Sequence, residues 1–491
     1  MLLLSDVLAG THGTLEWMNL ERQVTLPDMS NAAFSGVTVD SRTVTPGSIF
    51  VARRGTKLDG HDFIPDAVAR GARCVIMERD LSYAPTTPSA HQIVALIRVD
   101  DPTAALQLLA NYWRDKVDPI VVGITGSVGK TSTKEVTAAV LRQKYKVHRS
   151  EGNYNSETGL PMTLLNLEPG DQVSVLEMGG GGRLGEIAEL ARIARPQLGI
   201  VTIVAESHLE TMGTIERIAE MKSELPQALP PTGWAVLNGD DARVRAMANV
   251  TAARAFFYGL DPSNHLWAEE IEGRGLEGIA FVLCYDAGKL ADARQVNPEL
   301  DKSQRLHLRL PLLGEHSVHT ALAAASVGLL LGLDWSQVAA GLADAGTEGS
   351  GAQVRIIAAP GINGSTIIDD SYNASPTSVL AALNLLEQLQ GPKVAVLGDM
   401  LELGPYEEAG HRKVGVRVAT VANRLVAVGP MAQLIGQEAI ASGMPAQNVH
   451  YAPDNDNAVA WLKQNLQAGD NVLVKGSHAR HMEEIVQKVR A

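Results

Sequence analysis

Residues 119–135, PIVVGITGSVGKTSTKE, place the strongest constraint on what this chain of 491 residues can fold into. The β-branched run 120–124 predicts a strand, Gly126 and Gly129 a tight turn, and Lys130-Thr131-Ser132 the opening of a helix. A strand that passes through a glycine-rich loop into a helix N-terminus suits a phosphate. Glycines let backbone N–H groups converge on an anion, and the helix dipole adds partial positive charge. In such a loop the lysine, here Lys130, reaches the β- and γ-phosphates and the hydroxyl of Thr131 ligates Mg2+. Gly126, Ser127, Gly129, Lys130, Thr131 and Ser132 are therefore the expected nucleotide-binding positions. The spacing is short: the common G-x-x-x-x-G-K-[ST] form wants glycine at 124, where this chain has Ile124, and the match is T-G-x-x-G-K-T from Thr125 to Thr131. The competing reading is a tight connection without a ligand. It is opposed by the strand before the loop and the Gly-Lys-Thr after it.

The chain is too long for one core, and a prior of roughly 150 residues per domain gives about three. Apolar residues make up 45% and aromatics only 4%, so the cores must be largely aliphatic. Lys and Arg number 42 against 55 Asp and Glu, a net charge of −13 without a long like-charge block. That balance argues against nucleic acid and anionic membranes as partners, so anionic ligands need local sites. Cys74 and Cys284 form no ligand-like spacing, which predicts neither a disulfide framework nor a zinc site and fits a reducing cytoplasm. The apolar residues 1–4 lack a basic flank and run into Ser5-Asp6, unlike a signal peptide. The longest uncharged apolar stretch, 320–333, has about 14 residues where roughly 18 are needed to span a bilayer. A soluble cytoplasmic monomer with no membrane insertion is the expectation.

Three α/β regions are expected, at 1–116, 117–346 and 347–491. In the first, 37–42 and 48–52 read as short strands, 55–62 as a polar loop, 64–70 as helix and 74–77 as strand. In the second, strands at 120–124, 173–178, 198–204 and 235–237 alternate with helices at 130–144, 184–193 and 215–229. This is the pattern of parallel βαβ units in a doubly wound sheet. Residues 265–313 are more β-like and less regular, and 316–331 reads as a closing helix. After the flexible composition of 346–351 comes a third unit with strands at 353–358, 365–369, 393–397, 424–428 and 471–475. Its helices are expected at 378–389, 407–421, 458–466 and 480–489.

Ligands of open α/β sheets bind at the carboxyl ends of strands, and several candidates sit there. Glu177 closes an apolar strand before four glycines and could hold Mg2+ or be a solvated loop acid. His208, in Ser207-His208-Leu209-Glu210, is a second metal ligand or a structural histidine. Lys222, on a helix, reads by composition as a solvated surface lysine. Asp370, Tyr372 and Asn373 in Asp369–Pro376 sit where a strand gives way to a proline-initiated helix, placed for ribose, phosphate or metal. Leu397–Gly404 supplies the carboxylates Asp399 and Glu402 at another strand end. Lys475 and Ser477 follow a third, where the cation could meet a carboxylate substrate. In the first region Asp40-Ser41-Arg42 either holds a ligand or only caps and pairs locally, beside the loop of Gly60 and His61.

Taken together, these motifs resemble the Mur ligases along the whole chain. The family's T-G-x-x-G-K-T is Thr125–Thr131, its N-x-N…G-x-P is Asn153–Asn155 through Gly159–Pro161, and its E-M-G is Glu177–Gly179. Ser207–Glu210 is similar to its A-H-L-E, and Lys222 to the lysine of the following helix. D-S-R-x-V-x-P-G-x-x-F lies at Asp40–Phe50, and D-G-H-D-F at Asp59–Phe63. In the carboxyl third, D-D-S-Y-N-A-S-P, L-G-D-M-L-E-L-G and K-G-S are similar to the branch that adds D-alanyl-D-alanine. The D-N-P-R of the diamino-acid-adding branch is absent.

The resemblance implies a central P-loop ATPase domain between a small UDP-substrate domain and a C-terminal Rossmann-like ligase domain. It implies ATP and Mg2+ as cofactors, and UDP-N-acetylmuramoyl-tripeptide and D-alanyl-D-alanine as substrates, joined through an acyl phosphate. Lys130, Glu177, His208 and Lys222 become catalytic. Thr131 and Glu177 would hold one Mg2+, with His208 and a carbamylated Lys222 holding a second. His316 and Arg355 join Asp370, Tyr372 and Asn373 around ATP. Asp40, Ser41, Arg42, Gly60, His61, Asn153, Asn155, Lys475 and Ser477 face the other substrates. His319 stands where the family usually has asparagine near the adenine. Two other readings stay open: a diamino-acid-adding Mur ligase, and a nucleotide-switched binding module that hydrolyses ATP without ligation.

Overall fold

In a computed structural model of the chain, residues 1–18, 32–55, 58–79, 95–152, 154–345 and 356–491 are described. Asn153, Arg355 and the 346–351 stretch lie outside them. The chain packs as two compact units, one of residues 1–123, 145–178 and 188–196, the other of 124–144, 179–187 and 197–491. The strand Ile120–Thr125 passes from the first into the second.

In the first unit a five-stranded sheet runs in the order Thr14–Met18, Ala95–Arg98, Cys74–Met77, Ile49–Val51, Val37–Thr38. Only the Thr14–Met18 edge pairs antiparallel. Phe50, Val75, Met77 and Leu96 bury against Ala67 and Val68 of the helix Ile64–Ala69. A second helix, Pro102–Val117, was not among the sequence expectations, although its start is well marked. The Asp101 carboxylate accepts from the N–H groups of Thr103 and Ala104 at 2.7 and 3.3 Å, and proline occupies the first turn. Its apolar positions Leu106, Leu109, Ala110 and Trp113 repeat with helical period and are buried. The parallel pair Val147–Arg149 and Val173–Glu177 completes this unit.

In the second unit Leu198–Val201, Trp234–Asn238, Arg254–Gly259 and Leu266–Gly273 are parallel neighbours. The irregular β region then extends the sheet antiparallel through Ile279–Tyr285 and Gln304–Leu310. The uncharged run seen in the sequence forms the helix Ser317–Leu330, buried nearly all round. It packs on Lys130–Leu141, and small residues set the approach: a Cβ on Gly328 would lie 2.7 Å from Val140 Cγ1. Among the described residues no helix is long and apolar enough to cross a membrane.

The same unit carries a six-stranded sheet ordered Ile357–Pro360, Thr366–Asp369, Asn471–Lys475, Lys393–Gly398, Arg424–Val428, Val449–Ala452, parallel except for the first pair. Helices cover both faces. Pro376–Gln388, Glu407–Val421 and Ala432–Ala441 bury one apolar cluster, and Asn455–Asn465 with Glu483–Val489 another. This is the doubly wound arrangement. Its carboxyl edge presents Asp370, Asp399 and Lys475. The strand Val449–Ala452 and the helices Ala432–Ala441 and Trp335–Asp344 went unforeseen, being short and, for the strand, mixed in polarity.

Candidate active site

The phosphate loop is built by backbone conformation. Gly126 has φ 142°, and a Cβ there would lie 2.0 Å from Thr202 Oγ1. Gly129 has φ 88° and leads directly into the helix Lys130–Leu141. Only glycine suits both positions. The loop is fastened to the end of the next strand. Ser127 N–H donates to Ile203 O at 2.7 Å, Ser127 Oγ to Ala205 O at 3.0 Å, and Thr202 Oγ1 to Val128 O at 2.6 Å. Lys130 Nζ donates to Gly126 O at 2.9 Å.

Two cavities meet at this loop. The smaller, about 230 Å³, is lined by Lys130, Ser132, His208, Glu402, Lys475 and Ser477, among others. The larger, about 670 Å³, is walled by Asn238, Asp240, Tyr258, Leu260 and His319. Val128, Gly129, His316 and Thr320 belong to both. His319 Nε2 lies 2.8 Å from Asp240 Oδ2. Burial pushes the Asp240 carboxyl up, but His319 and the backbone N–H groups of Leu260 and Asp261 outweigh it and hold it at about 2. His316 is exposed and opens onto both cavities; desolvation lowers its pKa, with the Asp370 charge opposing.

His208 sits in the left-handed region (φ 53°) at the start of the short helix Leu209–Met212. The glycine run is explained here: a Cβ on Gly181 would lie 2.5 Å from the His208 ring. Its Nδ1 is 2.5 Å from Glu402 Oε2. Desolvation nevertheless lowers its pKa, with the charges of Lys222 and Lys130 acting in the same direction as Glu402 opposes them. Lys222 overturns the expectation of a surface lysine. It is 1% exposed, and its Nζ donates to Gly180 O at 2.9 Å. Glu402 is itself left-handed, φ 64°, a conformation that costs a residue with a Cβ about 1–2 kcal/mol.

At the carboxyl edge of the six-stranded sheet, Lys475 Nζ lies 2.6 Å from Asp370 Oδ2, the pair 3% and 7% exposed. It also donates to Asn373 O at 2.8 Å. The cation expected to meet a substrate carboxylate is thus already paired with a carboxylate of the chain. Asn373 Oδ1 accepts from Ala374 N–H at 2.9 Å, Ser375 caps the helix Pro376–Gln388, and the Tyr372 ring lies 5.1 Å from that of His478. Ser477 Oγ accepts from Leu401 N–H at 2.8 Å.

In the first unit Glu177 is buried and its Oε1 accepts from Asn155 Nδ2 at 2.8 Å, so these two candidates are together. Asp40 caps the turn Ser41–Thr43 and holds the Arg42 guanidinium at 2.6 Å, the local pairing weighed from the sequence. Arg42 lowers the Asp40 pKa. His61 is buried between Asp59, 2.7 Å from Nδ1, and the Glu78 N–H, which donates to Nε2 at 3.1 Å. A Cβ on Gly60 would lie 2.5 Å from Arg53 O.

Known families match each region of this chain: the Mur ligase middle domain at residues 124–328, the Mur ligase glutamate ligase domain at 355–478, and the Mur ligase catalytic domain at 33–114. The UDP-N-acetylmuramoyl-tripeptide–D-alanyl-D-alanine ligase of Bacillus subtilis is 33% identical over 464 residues, 94% of each chain. The chain belongs to the Mur ligase family. This Mur ligase is similar in structure to MurF from Acinetobacter baumannii, with a TM-score of 0.82 at 27% identity over 99% of this chain and 98% of that one. It is also similar to MurF of Thermotoga maritima in complex with ADP, with a TM-score of 0.71 at 26% identity over 92% and 96%. It is a ligase of the three-domain α/β architecture.

Some polar groups of this Mur ligase escaped the sequence reading. Asp240 follows the strand Trp234–Asn238 and was findable by the strand-end rule that selected Glu177 and His208. The partners of Asp399 were not. Its buried carboxylate accepts from Ala432 N–H at 2.6 Å and meets Arg480, 81 residues away, with no local signal linking them. His411, fully buried, accepts from Met400 N–H at 3.0 Å through Nε2 and likewise leaves no mark in the sequence.

Proposed function

We infer that this Mur ligase uses ATP to join D-alanyl-D-alanine to UDP-N-acetylmuramoyl-tripeptide through an acyl phosphate. One observation carries the reading: a single cavity is walled by the phosphate loop on one side and by the carboxyl edge of the six-stranded sheet on the other. The larger cavity, sharing Gly129 and His316 with it, suits the base and ribose. Backbone N–H groups of 126–131 and the Lys130 cation would then hold the phosphates, with the γ-phosphate toward Lys475 and Ser477. His319, fixed by Asp240, is the group beside the base.

The tripeptide's terminal carboxylate oxygen attacks the γ-phosphorus and ADP leaves. The D-alanyl-D-alanine amine then attacks the acyl carbon, losing a proton as the C–O bond to phosphate breaks and the amide forms. The chain's contribution is positioning and charge neutralisation around groups that are themselves anionic. Asp40, Ser41, Arg42, Gly60 and His61 are assigned to the uridine-bearing substrate, with Asn153 and Asn155.

The donors present fit Mg2+, which takes oxygen ligands and few from protein. Thr131 offers a hydroxyl at the loop, and Glu177 is a buried carboxylate. His208 and Lys222 suit a second ion once Lys222 is carbamylated: a lysine sequestered beside a histidine at an anion site becomes a ligand when its charge is inverted. Bound there, the metal would supply charge stabilisation of the transferring phosphoryl group.

The test is incubation with ATP, Mg2+, UDP-N-acetylmuramoyl-tripeptide and D-alanyl-D-alanine, reading phosphate and product mass. Phosphate release that needs both substrates and yields the pentapeptide product is expected. Release without either would favour a nucleotide switch, and dependence on one diamino acid the sibling ligase. Lys222→Ala should lose most activity and regain part of it with short carboxylic acids; a fully active variant would remove the carbamate.

A further inference from the structure

We propose that Glu402 is a positioning residue for His208. The pair joins two loops that are far apart in sequence, and both residues line the smaller cavity with Lys130 and Lys475. A carboxylate 2.5 Å from Nδ1 puts a ring proton on that nitrogen, which in the neutral imidazole leaves the lone pair on Nε2. The ring's tautomer and rotation are thereby set by Glu402, and the lack of a side chain at Gly181 makes room for the ring in this placement.

Stability does not account for the arrangement. The two side chains are 38% and 59% exposed, and ion pairs so exposed contribute little. Glu402 nevertheless occupies a left-handed conformation that a glycine would adopt freely. Its neighbours hold it there. Met400 N–H donates to His411 at 3.0 Å, Leu401 N–H to Ser477 Oγ at 2.8 Å, and Glu210 N–H to Glu402 O at 3.1 Å. Beside it Gly404, φ 51°, packs so closely that a Cβ would lie 2.9 Å from Glu210 Cα. A strained residue fixed by surrounding contacts, with its carboxylate on a site histidine, marks strain kept for function. The inference rests on the reading of His208 as a metal-holding group at an ATP site.

The experiment compares wild type, E402Q and E402G. Measurements are the thermal midpoint, Mn2+ affinity of the ADP-loaded enzyme by electron paramagnetic resonance titration, and kcat and KM for each substrate. E402G relieves the backbone and should raise the midpoint or leave it unchanged. Both variants should weaken Mn2+ binding about 10–100-fold and lower kcat more than they raise the KM for ATP. Wild-type Mn2+ affinity and kcat in both variants would overturn the proposal, as would an E402G loss fully explained by unfolding. A wild type that neither binds Mn2+ with ADP nor forms product would instead refute the function on which the proposal rests.

Discussion

Two lysines face the same cavity from opposite walls, and they are held differently. Lys130 is half-buried and donates to a carbonyl of its own loop, four residues away. Lys475 is 3% exposed and sits on the carboxylate of Asp370, 105 positions back along the chain. The first is placed by local backbone geometry, the second by a long-range ion pair inside a fold. A cation resting on a carbonyl of its own loop is positioned for an incoming phosphate by that backbone. One that neutralises a buried carboxylate is part of the frame that shapes the cavity, and removing it exposes a charge that has nowhere to go.

Lys130→Ala gives the sharpest test of this contrast. It should lower kcat/KM for ATP by about 10²–10³-fold while leaving the thermal midpoint almost unchanged; a variant that unfolds instead would erase the distinction. Next in size, Asp370→Asn or Lys475→Met alone should destabilise by about 3–5 kcal/mol in urea unfolding. The combined apolar replacement D370L/K475M should destabilise less than either single change. Additive losses would show that the two are not acting as a pair. The smallest effect concerns Asp240 in the other cavity. Held at about 2, below its ordinary 3.8, it contributes stability that is present above about pH 4 and is lost as pH falls through about 2. His319→Ala should move that acid limb upward by less than about one pH unit, because the Leu260 and Asp261 N–H groups remain; an unmoved limb would assign the depression to them alone.

How much of this was legible in the sequence follows the same division. The phosphate loop was readable because its parts are neighbours along the chain: β-branched strand, two glycines, lysine, helix. The positions of Glu177, His208 and Asp370 at or beyond strand ends were readable because each follows an apolar run in the chain. The single helix Ser317–Leu330 was foreseen from its apolar run, yet the reason for that run, close packing through Gly328 onto Val140, was not visible. The surface reading of Lys222 failed because burial is decided by what packs over a helix face, not by the residue on it.

The sequence by itself determined the α/β class, the strand–loop–helix of the phosphate loop, and the family resemblance, since each is written in residues a few positions apart. Only the tertiary structure decided that Lys475 answers Asp370, that Arg480 answers Asp399, that His319 is tied to Asp240, and that Glu402 reaches His208. Each of these joins side chains from separate segments across a sheet edge or cavity. Their energies depend on distance and dielectric, which a linear sequence does not specify.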